Sequence, residues 1–258
     1  MSIVTICPEN LRKISEEDYV AAAKELQTGV AEIKTVIEVE AAGDGFQKDG
    51  KPKILFEAHL FGYFTGYKFN DKKHLSCRTW DEAKPYYNMD QHARFEEACA
   101  LDLEAACKSS SWGYMQICGF NAVNYKLYPT AVEYVKDMCR GGRQQLLSFV
   151  AFCKATGLDK KLRDHDWAGF AYGYNGPLFN QNKYDVKLAQ AFARHSGWLM
   201  VGTSGPKVVA LQKALGLSAC DGAYGPITQQ AVRDFQGKKG LPQTGVADTH
   251  TQKALGLN

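Results

Sequence analysis

The chain has 258 residues, 45% of them apolar and 23% charged, with a formal net charge of +3; this is ordinary globular composition and predicts one core domain plus a small module. No Lys/Arg stripe dominates any predicted helix, so nothing indicates a nucleic-acid-binding face and no nucleic-acid partner is expected. Residues 1–13, with Pro8, Glu9 and Asn10, lack the basic start and apolar core of a secretory signal, and no stretch approaches the roughly 18 apolar residues of a membrane span, so accumulation in the cytoplasm of the producing cell and no stable membrane association are expected.

Ser15-Glu16-Glu17-Asp18 reads as a capped helix start, with a serine cap and acids in the first turn. Val20, Ala23, Leu26, Val30, Ile33 and Ile37 then recur at helical steps, as one helix or as two broken at Thr28-Gly29, with an end at Gly43. Lys53 to His59 reads as a strand or a short helix, with the strand preferred, and residues 62–80, rich in aromatics, Thr and Gly, as hairpin or loop. Helical periodicity returns over 90–107, 130–139, 143–156 and 185–194. His195 to Gly205 is glycine-rich and reads as a linker. Beyond it Val208 to Leu217 is echoed by Gln252 to Leu257, with Ala231-Val232 and Phe235-Gln236 between them, predicting three short helices around a small core. The fold expected is mainly α with a small β region.

The eight cysteines, Cys7, Cys77, Cys99, Cys107, Cys118, Cys139, Cys153 and Cys220, form no CxxC pair and are expected as reduced, mostly buried thiols. The six histidines show no metal-ligand spacing. No Ser-His-Asp arrangement, phosphate-binding glycine loop or cofactor motif is present, so neither metal nor cofactor is expected.

The strongest motif is Asp221-Gly222-Ala223-Tyr224-Gly225-Pro226-Ile227-Thr228 followed by Ala231-Val232-Arg233-Asp234-Phe235-Gln236. It resembles the peptidoglycan-binding domain of wall hydrolases over residues 204–257. Most of these positions read as fold-building: glycines for the turn, Thr228 as a helix cap, Phe235 as core. Tyr224 and Arg233 are the candidates for wall contact, by aromatic stacking and by pairing with peptide carboxylates.

Upstream, Val39-Glu40-Ala41-Ala42-Gly43-Asp44-Gly45-Phe46, Ser111-Trp112-Gly113-Tyr114-Met115-Gln116-Ile117 and Ala171-Tyr172-Gly173-Tyr174-Asn175-Gly176-Pro177 resemble three motifs of lytic transglycosylases and goose-type lysozymes. Ala41 stands where serine is usual and Tyr114 where leucine is. With the blocks Lys53 to His59, Ser111 to Asn121 and Phe170 to Gly176, the chain is similar to the N-acetylmuramidase family of phage endolysins. The resemblance implies a lysozyme-like α+β catalytic domain over 1–196, a linker over 197–204 and a three-helix wall-binding domain over 205–258. It implies a monomer whose partner is bacterial peptidoglycan, with β-1,4 cleavage between N-acetylmuramic acid and N-acetylglucosamine and dependence on a membrane-permeabilising holin for release to the wall.

Such cleavage needs a protonated carboxylic acid and a group that supports an oxocarbenium-like centre. Glu40 shares a helical face with Val36 and Ile37 and stands at a helix C-terminus; both placements disfavour its charged form. Glu57 lies in the apolar run Ile54 to Phe61, where a charge needs a partner or a task. It reads as a second carboxylate, as a structural group, or as the acid itself with Glu40 in support; Asp71 is a weaker third candidate. Gln116, Tyr174 and Asn175 suit sugar hydroxyls and acetamides, Trp112 and Tyr172 either stack on sugars or fill the core, and His59 is suited to local hydrogen bonding. A single working glutamate would favour a lytic transglycosylase, and Ala41 and Tyr114 leave room for a non-catalytic wall-binding protein.

Overall fold

A computed structural model describes residues 2–41, 44–177 and 182–257. The chain divides into two compact units, Met1–Thr28 with Glu40–Asp159, and Gly29–Val39 with Lys160–Asn258.

The first unit opens with α1 (Glu9–Arg12) and α2 (Glu16–Leu26). Ser15 starts α2 as its residues predict: its hydroxyl accepts the Asp18 N–H at 3.1 Å while the Asp18 carboxylate takes the Ser15 N–H at 3.2 Å, so two of the donors orphaned at a helix start are satisfied reciprocally. Gln27, left-handed at φ 54°, ends the helix. Thr28-Gly29 then separates it from α3 (Val30–Glu40), so the two-helix alternative is the one adopted. The expected cap at Gly43 lies outside the described residues.

The strand expected over 53–59 is shorter. β1 covers Ile54–Phe56, and the chain turns into α4 (Ala58–Phe64) at Glu57. Of hairpin or loop, residues 62–80 are no hairpin: the end of α4 gives way to loop-like turns and then to α5 (Trp80–Ala83) with a 3-10 turn over Lys84–Tyr86. Aromatic and Thr-rich composition misleads here because Phe61 and Gly62 are buried by packing rather than by strand pairing. The hairpin lies instead at β2 (Ser110–Trp112) and β3 (Ile117–Cys118). β1 pairs antiparallel with β2, Ile54 opposite Trp112, and β2 with β3, Trp112 opposite Ile117.

The helix expected over 90–107 is two, α6 (Gln91–Leu101) and α7 (Leu103–Lys108). Asp102 divides them because its carboxylate accepts the Ala105 N–H at 2.9 Å and caps a new helix instead of continuing the old one. α8 (Gly119–Asn124), α9 (Ala131–Met138) and α10 (Gly142–Thr156) follow. α10 packs on α2 and α9, α6 on β1 and α7, and α4 on α7. Phe56, Phe61, Phe95, Trp112, Tyr134 and Phe149 fill the unit's core.

After α11 (Leu158–Arg163), the second unit contains α12 (Trp167–Asn175), packed on α13 (Tyr184–Ser196). His165 Nε2 meets Glu32 Oε1 of α3 at 2.7 Å, amid the rings of Trp167, Phe192 and Trp198. The expected small three-helix core is present in α14 (Pro206–Ala214), α15 (Pro226–Lys238) and α16 (Thr249–Ala254), around Leu199, Val208, Leu211, Tyr224, Val232 and Ala247.

Residues 197–204 are no free tether. Leu199 and Ala247 exchange both backbone hydrogen bonds at 3.1 and 2.8 Å, and the Tyr224 N–H donates to the Thr203 carbonyl at 2.9 Å. Glycine content predicts flexibility only where the flanking side chains find no core, and Leu199 and Met200 are buried. All eight cysteines are free thiols, six of them buried.

Candidate active site

Glu57 sits at the junction of β1 and α4, its N–H extending the ladder by donating to the Ser109 carbonyl at 2.9 Å. Strand pairing on one side and helix entry on the other therefore fix its backbone. Its side chain is only 16% exposed, and the Tyr87 hydroxyl donates to its Oε2 at 2.5 Å. His59 Nδ1 stands 3.4 Å from the same oxygen; it is buried and makes no hydrogen bond. Burial first, and the neighbouring Glu57 carboxylate second, push the Tyr87 hydroxyl well above its ordinary value, so it stays a donor at neutral pH.

Behind this pair lies a polar scaffold supplied by α6. Gln91 accepts the Phe56 N–H at 3.2 Å and donates to the carbonyls of Tyr86, Tyr87 and Met89 at 3.3, 3.0 and 2.8 Å. Arg94, buried, gives all five of its hydrogen bonds to neutral oxygens: His74 O twice, Phe56 O, Tyr86 O and Gln91 Oε1. The residues just before Glu57 and Tyr87 are thus held by one guanidinium and one amide. Burial lowers the Arg94 pKa, and Glu57 is the foremost charge opposing that.

Glu40 ends α3, half-buried, beside the buried Val36 and Ile37. Lys53 Nζ donates to the Ala41 carbonyl at 3.3 Å, placing a cation where unsatisfied helix carbonyls attract one. Ala41 itself is buried. Asp71 is exposed in the turns after α4.

Gln116 lies in the β2–β3 turn at φ 46° and donates to the Gly113 carbonyl at 2.9 Å, so part of its amide already holds the hairpin. Trp112 is a correction: at 1% exposure, with Phe95 and His92 edge-on at 4.9 and 6.2 Å, its ring is core and offers no face to a sugar. Tyr114 in the usual leucine position is also buried, its N–H donating to Gln145 Oε1 at 2.8 Å and its hydroxyl to the Arg12 carbonyl at 3.2 Å. A side chain at Gly113 would collide with the Gln145 amide, which explains the glycine.

Tyr172, Tyr174 and Asn175 occupy the last turn of α12 in the second unit. Tyr172 is 60% exposed, whereas Tyr174 is half-buried and stacks on Phe170 at 5.5 Å. Tyr224 is a second correction: it is 2% exposed and its hydroxyl donates to the Gly245 carbonyl at 2.9 Å, so it builds the module's core. Thr228 is not a cap, since it is buried and accepts from Gln212. Arg233 remains exposed, its side chain lying over Gly245.

Tyr87, Gln91 and Arg94 escaped the sequence reading. The signal for Arg94 was its place beside Phe95 on the buried face of α6, where a cation is costly without acceptors. Tyr86-Tyr87 carried none.

A family model described as N-acetylmuramidase matches residues 29–196, and a peptidoglycan-binding domain model matches residues 204–255. The crystal structure of the Burkholderia AP3 phage endolysin is 34% identical with this chain, with a TM-score of 0.63, and the match covers 72% of each chain. No curated protein matches it. The chain belongs to the N-acetylmuramidase family: it is a muramidase-type glycoside hydrolase carrying a C-terminal peptidoglycan-binding domain.

Proposed function

We propose that this muramidase lyses bacteria by hydrolysing the β-1,4 bond between N-acetylmuramic acid and N-acetylglucosamine, with Glu40 as general acid and Glu57 as the second carboxylate. The observation that carries this assignment is the Tyr87–Glu57 hydrogen bond at 2.5 Å. The Tyr87 hydroxyl holds one Glu57 oxygen as an acceptor. A second carboxylate fixed in this way is what an oxocarbenium-like centre and the incoming water require. Glu40, at a helix end beside buried apolar residues, is left to protonate the leaving oxygen.

Gln116, Tyr172, Tyr174 and Asn175 serve as sugar-contacting groups in this reading, and Arg233 as a wall contact of the module. The catalytic domain spans 1–196 and the module 205–258, joined through the anchored segment 197–204. The protein acts as a monomer, accumulates in the cytoplasm of an infected cell and reaches the wall after a holin permeabilises the membrane. Likeness to a phage endolysin supports the lytic role.

Mass spectrometry of soluble products from purified peptidoglycan tests the chemistry. Reducing muramic ends made by wild type and lost in Glu40→Gln and in Glu57→Gln are the expected result. Anhydromuramic ends would make the enzyme a lytic transglycosylase, and full activity in Glu40→Gln would move the acid elsewhere.

A further inference from the structure

Trp80 is the most exposed of the four tryptophans: it is 52% exposed, while Trp112 and Trp167 are buried and Trp198 is half-buried. It sits on a braced element. Thr79 caps α5 by accepting the Glu82 N–H at 3.3 Å, Lys73 pairs with Glu82 at 3.3 Å, and Lys84 pairs with Asp81 at 2.7 Å. The same Lys84 ammonium lies over the indole at 3.9 Å from its centroid, so one face is backed by a pinned cation while the ring stays more than half open. Trp80 lies close enough to Tyr87 to oppose the rise of its hydroxyl pKa, and Tyr87 in turn donates to Glu57. Tyr87 thus links an exposed aromatic surface to the second carboxylate.

An exposed indole held rigid gains little for the fold, since about half of its area stays in water. It does present a flat apolar face, with low ordering cost, to a ligand that is itself apolar on one side and polar at its rim. We infer that Trp80 is a stacking platform for an N-acetylhexosamine ring of the wall glycan, bound next to Glu57. The pyranose C–H face lies on the indole, and the sugar's hydroxyls and acetamide remain at the rim. Trp80 thereby takes the stacking role that the sequence offered to Trp112. The inference rests on the reading of Glu57 as part of the active site.

Tryptophan fluorescence of the full-length Glu40→Gln protein, titrated with a soluble tetrasaccharide of alternating N-acetylglucosamine and N-acetylmuramic acid, reads the contact without turnover. A saturable change that disappears when Trp80→Phe is added is expected. In the otherwise native enzyme, Trp80→Ala should raise KM about tenfold and leave kcat within about twofold, with Trp80→Phe in between. A fluorescence change that survives Trp80→Phe, or a response to free stem peptide in place of the glycan, overturns the inference, as does an unaltered KM in Trp80→Ala. Wild-type activity in Glu57→Gln would instead sink the reading of Glu57, while the Trp80 response to the tetrasaccharide would still report a glycan site.

Discussion

The strand–helix junction at Glu57 and the turns of the C-terminal module both bury polar side chains, but they finish the work differently. In the module, Gln212 accepts the Gly222 N–H at 2.9 Å and donates to Asp221, Ala223 and Thr228. Gln236 repeats the arrangement, accepting the Gly245 N–H at 3.0 Å and donating to Thr244, Val246 and Thr251. Both amides find partners on their oxygen and their nitrogen, as a stable interior demands. At Glu57 the carboxylate has one close donor, and the neighbouring His59 Nδ1 has none. The two amides are spent on holding the fold, whereas the Glu57 carboxylate, with one close donor, keeps acceptor capacity for another molecule.

The largest effect should come from Glu57→Gln. On purified walls its turnover should fall about 10²–10⁴-fold with the melting temperature nearly unchanged. A comparable loss of stability would make Glu57 a fold residue like the two glutamines and erase the contrast. Tyr87→Phe should be milder, lowering kcat about 10- to 100-fold through loss of one hydrogen bond to a charged group. Wild-type kcat in that variant would show that the 2.5 Å contact only supports structure.

The opposite pattern is expected in the module. Gln236→Leu leaves the Gly245 N–H without its acceptor and should cost about 1–3 kcal/mol of stability by denaturant titration, while cleavage of soluble glycan continues. Smallest is the pair Tyr224→Phe and Arg233→Ala. The first removes one buried hydrogen bond, worth about 1 kcal/mol, and should leave wall affinity intact once folded. The second should weaken wall pull-down and change stability by no more than about 0.5 kcal/mol. A reversal of those two outcomes would return Tyr224 to the wall-contacting surface.

Legibility followed the same division. The module's turn motif, its three helices and its repeat could be read because each signal is local: glycine turns, apolar spacing and glutamines at fixed offsets. The capped start at Ser15 and the break at Thr28-Gly29 were local as well. Tyr224 was misplaced, and Trp112 left between sugar and core, because an aromatic residue has the same appearance in a motif whether it faces sugar or core; only tertiary packing decides. The β2–β3 hairpin went unread and part of α4 was taken for hairpin or loop for a related reason, since three-residue strands leave almost no period to detect. Glu57 was visible as a charge in an apolar run. Its partner Tyr87 is 30 residues away in sequence, and only the Gln91 and Arg94 scaffold brings the two together.

The anchoring of residues 197–204 bears on how such proteins exchange parts. A transplant of the module cut at Gly205 would leave the Ala247 N–H unpaired, remove Leu199 from the core it shares with Val208 and Leu211, and lose the bond from Gln252 to the Gly197 carbonyl. A graft beginning at Gly197 keeps all of these. The stretch that resembles spacer is the module's own first segment, so viable recombination points, natural or engineered, fall before it.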